Sequence, residues 1–379
     1  MEQKQTRTEQ STIDNTLEAS IKTGATPMRI ILIGYGWRSL FYYRIAQALP
    51  ERFTLVAWVL RTEERAREVE ELYHVRTTSD IHSALSVPHD LAIVSLSSSS
   101  VETVLRILIG KGETILCETS FTSLPLETLA SLYQAYKATQ SKLFIAEQYY
   151  RYPYYQACHA LQHLLGPITA TRAACLHGHH GTSIIRHFLG EGYSNCTIQA
   201  SSHTSWITKT GERDRIEIDG VRLQTERITA TLEFEDGKIG YFDFDPIQYH
   251  SFIRSSHFSL YGERGEIVDD TIRYLNKENE GICQKLERVE DGNRNINPLS
   301  LRALSFGSSY VFKNPYWPKP FNDDEIAVAL CMEGACLGQG YSFAQALQDS
   351  YLAQCIQRSC NDRTIVETTK QVWAEDSEA

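Results

Sequence analysis

The sequence has no apolar run approaching the roughly 18 residues that a bilayer-crossing helix needs, so no membrane span is expected. Nor has it an excess of positive charge, for 37 Lys and Arg stand against 47 Asp and Glu, a formal net charge of -10. A phosphate backbone demands a clustered surplus of Lys and Arg, so nucleic acid is not an expected partner. Paired cysteine spacing is also missing. The nine cysteines are scattered without a Cys-x-x-Cys, and nothing at the start reads as a secretory leader. Reduced thiols in a cytoplasmic protein are therefore expected. A small-molecule substrate is the partner these exclusions leave.

What is present is the composition of a globular protein, with 42% hydrophobic and 22% charged residues in 379. That length allows two domains. Residues 1–27 are polar and lack an apolar stripe, and they read as a mobile tail.

From residue 28 the pattern is strand, glycines, helix. An apolar run over Met28 to Ile33 meets Gly34-Tyr35-Gly36-Trp37-Arg38-Ser39, after which apolar residues recur at Phe41, Tyr42, Ile45, Ala46 and Leu49. In a dinucleotide-binding fold the first glycine makes the turn, the second lets backbone approach the pyrophosphate, and the helix N-terminus stabilises its charge. Gly34 and Gly36 suit those roles, with Ser39 as the small residue in the third position; Trp37 and Arg38 complete the expected phosphate turn. Strands then alternate with helices: Phe53 to Leu60, a helix from Thr62 to about Tyr73, Leu91 to Leu96, a polar turn at Ser97 to Ser100, a helix from Val101 to Ile109, and Thr114 to Cys117. This alternation predicts a doubly wound parallel sheet. Ser97 and Ser98, at a strand's carboxyl end, are candidates to bond ribose or phosphate.

An NAD enzyme usually carries Asp or Glu at the end of the second strand, where it holds the ribose hydroxyls. Here Leu60-Arg61-Thr62 stands in that place. Arg61, with Arg65 and Arg38 nearby, suits a 2′-phosphate, and Thr62 is a further candidate cofactor contact, so NADP is favoured and NAD less so.

Three further stretches carry a family resemblance. Ile115-Leu116-Cys117-Glu118-Thr119-Ser120, Ala146-Glu147-Gln148-Tyr149-Tyr150-Arg151-Tyr152-Pro153 and Leu260-Tyr261-Gly262-Glu263-Arg264-Gly265-Glu266-Ile267 resemble, with the glycine turn, the Gfo/Idh/MocA oxidoreductases (glucose-fructose oxidoreductase, inositol dehydrogenase and rhizopine catabolism). The resemblance spans about residues 28 to 365. It implies a Rossmann domain, 28–150, and a substrate-binding and oligomerisation domain, 151–379, of α/β class with a large, open, mostly antiparallel sheet and the active site in the cleft between the domains. Apolar runs at Ile168 to Leu176, Cys196 to Trp206, Ile228 to Phe234 and Ile239 to Phe244 read independently as strands, the last two joined by the hairpin turn Glu235-Asp236-Gly237-Lys238. An open sheet face needs cover, so a homo-oligomer, dimer or tetramer, is expected.

The family usually has a Lys in Glu-Lys-Pro and an Asp-x-Gly-x-His-x-x-Asp stretch. By that resemblance Glu118 and Thr119 fall at the cofactor, with Thr119 in place of the Lys. His180 falls on the catalytic His, while Leu176 and Ser183 replace the aspartates. An imidazole titrates in the range such chemistry needs. His180 is thus the expected acid or base, with Tyr149, Tyr150, Gln148, His177 and His179 as candidates to orient it or the substrate. Three histidines in His177-Gly178-His179-His180 also invite a metal. On an extended segment, however, His177 and His179 share one face while His180 points away, and no Cys or carboxylate follows at a familiar spacing, so none is expected.

The expected function is an oxidoreductase, more readily a reductase, moving a hydride between NADP(H) and a C=O or C=N carbon of a small metabolite. The alternative is a non-catalytic dinucleotide-binding sensor or accessory protein that has lost the family's Lys and Asp.

Overall fold

The computed structural model describes residues 26–174, 176–291 and 299–374; the tail expected at 1–27 falls, up to residue 25, outside the described residues. The chain divides into two compact units, one ending at Ala92 and the other starting at Ile93.

In the first unit β1 (Met28–Ile33) pairs in parallel with β2 (Phe53–Val59), and β2 with β3 (Thr77–Thr78). Ile30 to Ile33 are at most 2% exposed, as a strand covered on both faces requires. The connecting helices are α1 (Trp37–Ala48), α2 (Glu63–Tyr73) and α3 (Ile81–Leu85). Thr62 opens α2 by accepting the Arg65 N–H, and Glu63 and Glu64 in the first turn suit the helix dipole. β4 (Leu91–Val94), wholly buried, runs across the point of division.

The second unit continues the alternation with α4 (Ser98–Lys111), β5 (Thr114–Cys117), α5 (Leu126–Lys137) and β6 (Lys142–Ile145), β5 and β6 being parallel. The serines expected as a turn are the first turn of α4, with only Ser97 outside it as the cap. A short β17 (Tyr341–Ser342) adds antiparallel to β6. These strands make up the expected parallel, Rossmann-like sheet.

Beyond α6 (Pro153–Leu161) the chain builds an eleven-stranded mixed sheet. Its centre is β7 (Ile168–Ala174), parallel to β10 (Ile239–Phe244) on one side and antiparallel to β11 (His257–Gly262) on the other. Outward from β10 lie β9 (Arg222–Phe234), β8 (Cys196–Thr208) and β18 (Val366–Glu367), all antiparallel. Outward from β11 lie β12 (Gly265–Val268), β13 (Thr271–Leu275), β14 (Gly281–Asp291), β15 (Ser300–Phe306) and β16 (Ser309–Lys313). The hairpin turn expected between β9 and β10 is present, with Gly237 at φ 85°.

α7 (Gly178–Leu189) lies on this sheet, with α8 (Asp323–Cys336) and α9 (Phe343–Asp362) following later in the chain. α7 sits so close that a Cβ on Gly181 would come within 2.5 Å of the Phe242 ring. Ile184, Ile185, Phe188 and Leu189 are at most 3% exposed, each burial contributing about 1.5–3 kcal/mol. The opposite face stays open around Arg172, Tyr241 and Asp243, where a shallow concavity of about 730 Å³ lies. Among the described residues no helix is long and apolar enough to cross a membrane.

Candidate active site

In the first unit β1 runs into Gly34, whose φ of 107° excludes most side chains. The Gly34 N–H donates to Val59 O at 2.9 Å, and the Trp58 indole N–H donates to Gly34 O at 2.7 Å. The turn is therefore pinned from both sides. Gly36 caps α1 in extended backbone, and a Cβ on Gly36 would meet nothing within 4 Å. Open space at a helix start is what an anionic group requires. Ser39 is fully buried, as the close-packing position demands. Trp37 is 44% exposed, with the Arg38 guanidinium 4.4 Å from its ring centroid.

The arginines at the end of β2 divide in role. Arg65 is engaged with Glu68 at 2.5 Å and stacks on Tyr35 at 4.3 Å, while Thr62 caps α2. Arg61 is exposed, and no partner of its side chain appears among the described residues.

In the second unit the candidates follow the carboxyl ends of β4, β5 and β6. Ser97 and Ser98 open α4, exposed, with the Ser97 and Ser99 hydroxyls 2.9 Å apart. Glu118 begins a short 3-10 turn, Thr119–Ser123, in which the Thr122 hydroxyl donates to Thr119 O at 2.7 Å. Two residues past β6 stands Glu147, 1% exposed.

His180 approaches Glu147 from the first turn of α7. This segment was expected to be extended; it is instead helical from Gly178, where the backbone turns at φ 43°, because the following residues bury an apolar face on the sheet. His180 Nδ1 lies 2.5 Å from Glu147 Oε2, and His180 is 6% exposed. A buried carboxylate needs a donor, so Nδ1 carries the proton and Nε2 is the nitrogen that can take one up. His179 Nδ1 lies 3.0 Å from the Thr122 hydroxyl, its ring 3.9 Å from that of His180. Burial pushes His179 well below the usual imidazole range, helped by His180 and His177.

α7 is itself locked in place. Arg186 pairs with Asp349 of α9, both side chains at most 4% exposed, and donates to Gln345 O at 3.1 Å. Tyr341 donates to Asp349 at 2.6 Å and Thr182 to Asp349 O at 2.9 Å. Ser183 donates to His180 O at 2.9 Å and so serves the helix backbone rather than an imidazole.

Tyr149 packs edge-on against His180 at 4.7 Å, and burial raises its phenol far above its ordinary range. It stays neutral. Gln148 is 3% exposed beside it. His177 caps α7 and is held by Tyr249: its N–H donates to the phenol oxygen at 3.2 Å, and its Nδ1 lies 2.9 Å from the same oxygen. The second unit thus brings together His177, His179, His180, Tyr149 and Gln148, as expected. Glu147 is the group that sequence reasoning quoted only as part of a motif. Its signal was a carboxylate placed directly after a short apolar strand of a parallel sheet, where ligands bind.

The fold is that of nicotinamide-dependent oxidoreductases. No family model matches the chain, and no curated protein matches it in sequence. Solved structures do match in fold. An oxidoreductase from Agrobacterium radiobacter in complex with NAD+, L-tartaric acid and magnesium has a TM-score of 0.64 at 14% identity, covering 90% of this chain and 98% of its own. Levoglucosan dehydrogenase in complex with NADH and levoglucosan has a TM-score of 0.65 at 16% identity, with 91% and 100% covered. Biliverdin reductase from Synechocystis in complex with biliverdin and NADP+ has a TM-score of 0.56 at 12% identity, with 89% and 100% covered.

Proposed function

We propose that the protein is a nicotinamide-dependent oxidoreductase of the Gfo/Idh/MocA type, reducing or oxidising a C=O or C=N carbon of a small metabolite. The observation that carries this reading is the buried Glu147–His180 pair, at the position where the resemblance puts the catalytic His. Carboxylate and imidazole together supply what the missing Lys and Asp would have supplied: an oriented ring, and a nearby negative charge that stabilises the imidazolium.

The residues suit the cofactor. The open space at Gly36, at the N-terminus of α1, receives a pyrophosphate, with Gly34 and Ser39 shaping the turn. Arg61, unopposed by any carboxylate at the end of β2, pairs with a 2′-phosphate, which favours NADP over NAD; the solved relatives include complexes of both kinds. Ser97, Ser98, Glu118 and Thr119 are read as further cofactor contacts. When bound, the dinucleotide supplies or accepts the hydride. His180 gives a proton to the substrate oxygen or nitrogen in reduction and takes it back in oxidation, held throughout by Glu147. Tyr149, neutral and packed on the ring, and Gln148 orient the substrate.

The open face of the eleven-stranded sheet, where Ala170, Ala200 and Ala230 line a shallow concavity, is read as the contact of a homo-oligomer. The eight described cysteines are all free, which accords with a cytoplasmic setting. The test is calorimetric titration with NADPH and NADH, followed by a fluorescence screen of NADPH oxidation against sugars, ketones and cyclic imines. Tight NADPH binding with turnover is expected; binding to neither cofactor overturns the reading.

A further inference from the structure

We propose that Glu147, His179 and His180 form a binding site for a borderline divalent transition ion such as Zn2+. Each offers a ligand atom, and these atoms lie within 4.8 Å of one another, in a setting where the three residues are 1%, 9% and 6% exposed.

The case rests first on His179. Its Nε2 is buried and has no hydrogen-bond partner among the described residues. Such an atom is costly to leave unsatisfied. The network around it fixes its character. The Thr122 hydroxyl has one proton and gives it to Thr119 O at 2.7 Å, so at 3.0 Å it accepts the Nδ1 proton of His179. Nε2 is then a bare lone pair. A histidine whose other nitrogen donates to an oxygen is in the tautomer that ligates metals.

The neighbours complete the donor set. Glu147 Oε2 faces His180 Nδ1 at 2.5 Å, so an ion held by both takes the place of the proton between them and meets His180 through Nδ1. Two imidazoles and one carboxylate, with water or substrate as a further ligand, suit Zn2+ and its borderline neighbours. Mg2+ and Ca2+ want a shell of oxygens and are not expected to bind here. No Cys or carboxylate neighbours the histidines in sequence; the carboxylate arrives from the end of β6, which is why spacing alone did not reveal the set.

The site goes beyond the proposed hydride transfer and does not depend on it. Should that reading hold, the ion replaces the proton that ties His180 to Glu147 and takes the carboxylate from the imidazole, so Zn2+ is an inhibitor of turnover.

The test is titration of the full chain with Co2+ and Zn2+, following Co2+ visible absorption and Zn2+ competition with a chromophoric chelator. One equivalent of Co2+ with the intense bands of low coordination is expected. His179→Gln and Glu147→Gln are each expected to weaken it about 100-fold or more, and Thr122→Val, which removes the acceptor for Nδ1 together with the donor to Thr119 O, about 10-fold. Circular dichroism melts establish that each variant is folded. The absence of a stoichiometric Co2+ spectrum, or equal affinity in folded His179→Gln, overturns the site. Failure of NADPH turnover alone leaves these readouts intact and counts only against the proposed function.

Discussion

His180 and Glu147 are joined by a 2.5 Å contact between Nδ1 and Oε2, both side chains at most 8% exposed. The imidazole comes from the first turn of α7 and the carboxylate from the end of β6, so the pair exists only because the mixed sheet and the parallel strands of the second unit present their ends to one another. Its consequence is a histidine of fixed tautomer.

Replacing His180 by Ala should lower turnover by about 10²- to 10⁴-fold, with NADPH affinity nearly unchanged. Glu147→Gln keeps the shape but loses the charge, and a smaller fall, about 10- to 100-fold, is expected. Stopped-flow NADPH oxidation alongside calorimetric cofactor titration separates the two effects; an unchanged rate in His180→Ala removes the residue from the mechanism.

Arg61→Asp should weaken NADPH binding by about 10- to 100-fold, the worth of a charge-assisted pair, while NADH binding holds or improves. Equal losses for both dinucleotides, measured by calorimetry, would contradict the 2′-phosphate assignment.

Asp349 and Arg186 are both nearly inaccessible. Removing one partner strands a buried charge, so Asp349→Ala is expected to cost about 3–5 kcal/mol of stability. Urea denaturation reads this directly, and a loss below about 1 kcal/mol would mean that the pair does not anchor α7.

His187 is pushed down to about 3 by burial, with His159 and Arg151 adding to the shift. The unfolded chain binds the proton near pH 6.5 and the folded chain does not, so stability contributed by the neutral ring is complete above about pH 6.5 and lost as pH falls toward 3. The expected slope approaches 1.4 kcal/mol per pH unit from this residue. His187→Phe should flatten it, as seen by denaturant midpoints between pH 7 and 5; an identical slope in the variant assigns the acid sensitivity elsewhere.

The parallel, Rossmann-like sheet was legible because its signals are local. Buried strands such as Met28–Ile33 read as apolar runs, and Gly34 marks a turn that demands positive φ. The β9–β10 hairpin declared itself through Glu235 to Lys238 in the same way. The limits appeared where local pattern and packing compete. Ser98 to Ser100 looked like a loop, yet they form the first turn of α4, since helix starts favour such residues. His177 to His180 looked extended, yet Gly178 begins a helix there.

By itself, then, the sequence determined the run of strands and helices, the glycine turn and the arginine at the end of β2, all set by neighbours within a few residues. Tertiary structure alone decided that Glu147 meets His180, that Thr122 sets the tautomer of His179, and that Asp349 holds Arg186. Each of these joins side chains far apart in the chain, and burial makes each pairing costly to leave unmade. Chemistry that depends on distance between remote residues has no period and no motif, and only the folded chain brings it together.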